Sequence, residues 1–80
     1  MDASPSAFKH GVTIEDIEHA VRNALAMDDW DEDLRLYIGP ARDGSLLEVV
    51  AIVSADRDNL AIHAMSMRAK YQRLLPGGER

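Results

Sequence analysis

The segment Leu46-Leu-Glu-Val-Val-Ala-Ile-Val53 constrains the fold most. It is apolar at nearly every position and rich in β-branched residues. Such a run reads as the central strand of a sheet, covered on both faces. On either side, the chain supplies candidate neighbours. Leu34, Leu36 and Ile38 alternate with Arg35 and Tyr37, and Leu60, Ile62 and Ala64 alternate with Ala61, His63 and Met65. Gly39-Pro40 with Asp43-Gly44, and Asp56-Arg-Asp-Asn59, mark short turns between the three strands. Short connections favour an antiparallel meander.

Two segments carry helical spacing. Ile14, Ile17, Val21, Ala24 and Leu25 recur along one face, with Glu15, Glu18, His19, Arg22 and Asn23 on the other. Thr13 followed by Asp16 resembles a capping box with Asp in place of Glu. The first helix is therefore expected over Ile14 to Met27. The acidic run Asp28-Asp-Trp-Asp-Glu-Asp33 opposes the negative end of a helix, so it is expected as a loop. Ser66 is expected to cap a second helix from Met67 to Leu75, which Pro76-Gly77-Gly78 stops. The predicted architecture is a small two-layer α+β domain with a helix, a three-stranded antiparallel sheet and a helix (α-β-β-β-α). Residues 1–8 are expected as a flexible tail, 9–76 as the domain, and 77–80 as a disordered tail.

Eighty residues support one domain of modest core. The apolar content of 46% is that of a globular chain. Without cysteine there is no disulfide, thiolate nucleophile or zinc–thiolate site. The N-terminus carries no basic region followed by an apolar run, and no apolar stretch is long enough to span a bilayer. A cytoplasmic protein with no membrane partner is expected. The net charge of −5 argues against a general nucleic-acid binder. The charge is uneven, however. Five acids crowd Asp28–Asp33, whereas from Arg68 onward four Lys or Arg face one acid, Glu79. A local basic patch is compatible with that asymmetry.

His10, His19 and His63 have no metal-ligand spacing. Asp29, Asp31 and Asp33 resemble the start of a calcium loop, but Leu34 stands where the turn needs Gly and the distal Glu is missing. No metal and no cofactor are expected. The glycines form no nucleotide fingerprint, and Ser45, Ser54 and Ser66 lack the flanking glycines of a nucleophile elbow. There remains the cluster His63, Arg68, Lys70, Tyr71 and Arg73, where the last strand hands over to a helix. Cleavage of an RNA phosphodiester needs a base for the 2′-hydroxyl, a cation for the transition-state charge and an acid for the leaving oxygen. Arg68 has the planar fork that matches phosphate oxygens, and His63 is of the residue type suited to act as acid or base. Lys70 and Tyr71 fit roles in holding backbone or base. The same residues also fit a solvated helix face with a structural histidine.

Lys9-His-Gly-Val12, Tyr37-Ile-Gly39, Leu46-Leu-Glu-Val-Val50 and Ile62-His-Ala-Met-Ser-Met-Arg68 together resemble, in that order, the BrnT-like toxins of bacterial type II toxin–antitoxin systems. The resemblance spans about residues 8 to 75. It implies a RelE-like ribonuclease fold, RNA cleavage that arrests translation, and an antitoxin encoded alongside. By position Lys9, His10 and Arg68 carry over directly, and with the cluster read above the expected site has Arg68, His63 and His10 as catalytic residues and Lys9, Lys70, Tyr71 and Arg73 binding RNA. His63 stands where the family usually has Arg, and Met67 where it has Ala. The alternative reading is a non-catalytic relative acting through protein contacts, with Met65, Met67, Leu74 and Leu75 as a partner surface or as core. A homodimer through the open face or edge of the sheet is the third reading.

Overall fold

The computed structural model describes residues 1–54 and 57–77. Five strands form one sheet: β1 (Asp2–Ala3), β2 (Ala26–Asp29), β3 (Leu34–Pro40), β4 (Leu46–Ser54) and β5 (Arg57–Ser66). Their order is β1-β5-β4-β3-β2, with β1 parallel to β5 and the other pairs antiparallel. One α-helix, α1 (Ile14–Arg22), precedes β2. Short 3₁₀ segments cover Pro5–Phe8 and Ala69–Leu74. The expected α-β-β-β-α arrangement is thus corrected to a five-stranded mixed sheet with a single α-helix.

Each departure has a local cause. Thr13 caps α1 as its spacing predicts, accepting from Asp16 N–H at 3.2 Å. The helix nevertheless stops at Arg22. Asn23 leaves helical geometry, and its side-chain amide donates to the His19 carbonyl at 2.9 Å. Leu25 N–H then donates to Ile38 O at 2.7 Å, and Ala26–Asp29 pairs with Arg35–Ile38. Pairing with β3 satisfies backbone groups that a continued helix would have had to bond beside Asp28 and Asp29, at its unfavourable end.

The second helix fails for a similar reason. Ser66 does not cap it but ends β5, opposite Leu47. Met67 N–H still donates to Leu46 O at 3.0 Å, and Arg68 N–H donates to the Glu48 carboxylate at 2.9 Å. Helical backbone therefore starts only at Ala69, too close to Pro76 for a stable α-helix. The segment forms as a 3₁₀ turn instead, with Tyr71 N–H donating to Arg68 O at its start and Leu75 N–H to Gln72 O at its end, each at 3.1 Å. Residues 1–8, expected as a tail, supply β1 and the first 3₁₀ segment. Asp56, in the expected second turn, and most of the 77–80 tail lie outside the described residues.

The central strand is covered on both faces. Ile17 and Ala20 of α1 pack on Tyr37, Leu47, Val49, Ala51, Ala61 and Ala64. On the opposite face Leu36, Ile38 and Val50 meet Tyr71, with Ile62, Met67, Leu74 and Leu75 around them. The helix sits unusually close to β3. A Cβ on Gly39 would lie 2.0 Å from the Ala20 carbonyl oxygen, so only glycine admits the contact. His19 Nδ1 lies 2.7 Å from Pro40 O, tying the same helix to the end of β3.

A bulge in β5 sets which residues share a face. Val50 opposes His63, but Ala51 opposes Ala61, leaving Ile62 as the extra residue. Ala61 and Ala64 therefore both join the α1-side core, while Ile62 packs with the opposite cluster, as His63 does. The strict alternation expected for this strand is broken at that point, and His63 is aimed at Glu48.

Candidate functional site

The site is built around one buried acid. Glu48 is fully buried on the 3₁₀-segment face of β4. A carboxylate there costs several kcal/mol in lost hydration unless charged donors surround it. Arg68 Nη2 donates to Oε1 at 2.6 Å, and Arg68 Nε lies 3.2 and 3.1 Å from Oε1 and Oε2. The Arg68 backbone N–H takes Oε2 at 2.9 Å. His63 Nε2 lies 2.9 Å from Oε1. Burial alone would raise the Glu48 pKa, but the Arg68 side chain, the Arg68 N–H and His63 outweigh it and hold the carboxyl at about 2. The hydrogen bond of the Arg68 side chain to Glu48, with the carboxylate's charge, raises the guanidinium pKa in turn.

This geometry orients His63. An ionised carboxylate only accepts, so Nε2 carries the proton donated to Glu48. In the neutral ring, Nδ1 is then the acceptor. Carboxylate–imidazole pairing of this kind fixes both tautomer and ring orientation. The His10 ring meets His63 edge-on, with ring centroids 5.8 Å apart. His10 arrives there from the N-terminal 3₁₀ segment, which is pinned across β5. Ser4 N–H donates to Ala61 O at 2.8 Å and Ser6 Oγ–H to Ile62 O at 2.6 Å. The chain then turns at Gly11, whose φ of +83° suits glycine.

On the other side of Arg68 lies Tyr71. The guanidinium carbon is 5.7 Å from the Tyr71 ring centroid, and Lys70 Nζ is 5.1 Å from it. Trp30 stands 6.5 Å from the same ring. An open concavity of about 290 Å³ adjoins the cluster, lined by Trp30, Leu34, Val50, Ile62, His63 and Arg68.

Of the residues picked from sequence, His10, His63, Arg68, Lys70 and Tyr71 are brought together. Lys9 and Arg73 are exposed, and neither forms an ion pair among the described residues. Tyr71 is buried and serves as core and platform at once. Arg35 falls on the opposite face, paired with Asp29 at 2.6 Å and lying over Tyr37. Glu48 and Trp30 are the functional candidates that sequence reasoning passed over. Glu48 had a signal: a lone acid inside an apolar strand demands buried partners. Trp30 was masked by the acids around it.

Among the described residues, no group of three or more His, Cys, Asp or Glu is placed to hold a metal ion. Nor is any helix there long and apolar enough to cross a membrane. No protein-family model matches the chain, and no curated protein or solved structure matches it significantly.

Proposed function

We propose that the protein is a BrnT-like toxin, a metal-independent ribonuclease paired with an antitoxin encoded alongside. The observation that carries this reading is the meeting of His10, from the N-terminal stretch, with His63 and Arg68 at the end of β5, which together hold the Glu48 carboxylate. In the proposed reaction, His63 Nδ1 takes the proton from a ribose 2′-hydroxyl. The 2′ oxygen bonds to phosphorus as the bond from phosphorus to the 5′ oxygen breaks. Protonated His10 gives its proton to that leaving oxygen, producing a 2′,3′-cyclic phosphate and a 5′-hydroxyl. Arg68, whose side chain keeps 46% of its exposure, stabilises the charge gathering on the phosphoryl oxygens. Lys9, Lys70 and Arg73 hold the strand.

A second reading is a non-catalytic binding module of the same fold. The Glu48–Arg68 pair favours it, because Glu48 already neutralises the cation that the chemistry needs. The experiment is induction of the protein alone in a bacterial host, with growth and RNA ends followed. Arrest with new RNA ends, lost in His10→Ala and Arg68→Ala, is the expected result. His10 is exposed, so its variant separates chemistry from folding. Normal growth with intact RNA would replace the ribonuclease with the binding module.

A further inference from the structure

We propose that the concavity beside Arg68 is a nucleobase subsite, in which one base of a single-stranded RNA stacks on the Trp30 indole while its phosphate lies against Arg68. The proposal rests on reading the Glu48 cluster as an RNA site. Leu34, Val50 and Ile62 give the concavity an apolar floor, and only His63 and Arg68 offer it polar walls. Its volume of about 290 Å³ suits one heterocycle with part of its sugar.

Trp30 remains 44% exposed, so its indole is accessible to a stacking ligand. Its position is fixed. Trp30 N–H donates to Leu34 O at 2.9 Å, and Asp31 Oδ1 accepts from the N–H groups of Asp33 and Leu34 at 2.8 and 3.0 Å, closing the turn beneath it. Tyr71 supports the indole at a tilt of 31°.

None of the acids around Trp30 lines the concavity. Asp29 pairs with Arg35 on the α1 side, and Asp31 is engaged in its own turn. Glu32 borders a separate concavity with Arg35 and Asn59. Asp28, in register with Leu36, shares this face but does not line the concavity. Arg68 lines the concavity and keeps 46% side-chain exposure beside its Glu48 partner, and Lys70 Nζ lies 5.1 Å from the Tyr71 ring that backs Trp30. A strand is then held by stacking and by phosphate, with little base selectivity, since every base offers a π-face.

Trp30 is the single tryptophan of the chain, so its emission reports on the subsite directly. The probe is a short 2′-O-methyl oligoadenylate, which lacks the nucleophilic hydroxyl and binds without being cut. The expected result is saturable quenching of Trp30 emission, absent with an abasic oligomer of equal length. Trp30→Ala should weaken binding of the labelled oligomer about tenfold, and Trp30→Phe should retain most of it, with unchanged folding by circular dichroism. No quenching, or equal binding of the abasic oligomer, overturns the subsite. So does a Trp30→Ala variant that loses its antitoxin but keeps the oligomer. Cleavage of unmodified RNA is scored in parallel. Cleavage without quenching overturns the subsite and leaves the ribonuclease standing. Quenching without cleavage supports the subsite and removes the ribonuclease.

Discussion

At the scale of single residues, Glu48 decides most. It is fully buried, and one carboxylate orients His63, anchors Arg68 and pins the backbone where β5 ends. Replacing it by glutamine keeps the shape but leaves the guanidinium facing a neutral amide. Glu48→Gln should therefore lose about 2 kcal/mol in urea denaturation, the scale of a lost charged hydrogen bond. The same variant should lower any RNA cleavage through misorientation of His63, without affecting the His10 side chain directly. His10→Ala should leave the denaturation midpoint unchanged, because that side chain is exposed. If both variants lost stability equally, the division between a scaffolding acid and a reacting imidazole would be wrong.

At the scale of elements, close approach and pairing outweigh local preference. Gly39→Ala would drive a Cβ into the Ala20 carbonyl oxygen, which as backbone cannot swing aside. A loss of about 3 kcal/mol is expected, as for other overpacked cores. Gly44→Ala is the comparison: its Cβ would meet open space, so only the φ of +91° is strained. A loss of about 1 kcal/mol is expected there. Thr13→Ala should cost about 1 kcal/mol through the lost cap of α1. Thermal melts of the three variants rank these causes. The start of α1 was legible because Thr13 and Asp16 are neighbours in sequence. Its end was not, because the backbone of Ala26–Asp29 is claimed by β3, whose partner atoms lie about ten residues on. The same holds for Met67 and Arg68, whose backbone groups are taken by Leu46 and Glu48 before a helix can begin.

For the whole molecule, acid is the informative perturbation. The Glu48 carboxyl titrates at about 2 in the fold against an ordinary 4.5. Its folded pKa is depressed, so the unfolded chain binds more protons between those values. Its contribution is complete above about pH 4.5 and is lost as pH falls toward 2. Asp16 and Asp43 are also lowered, by hydrogen bonds from Arg42 and Ser45, and act in the same direction. Acid titration followed by circular dichroism should show stability falling through that window, and less steeply in Glu48→Gln. Equal slopes would place the acid sensitivity elsewhere. The chain by itself determined what depends on near neighbours: three strands from their apolar runs, the capped start of a helix, and a polar cluster at the end of β5. Tertiary structure alone decided the two added strands, the shortened helices and the face of the site. Those outcomes depend on register. The bulge at Ile62 turns His63 toward Glu48, and a slip of one residue reverses every side chain beyond it. No local pattern encodes that slip, because the atoms that select it belong to β4.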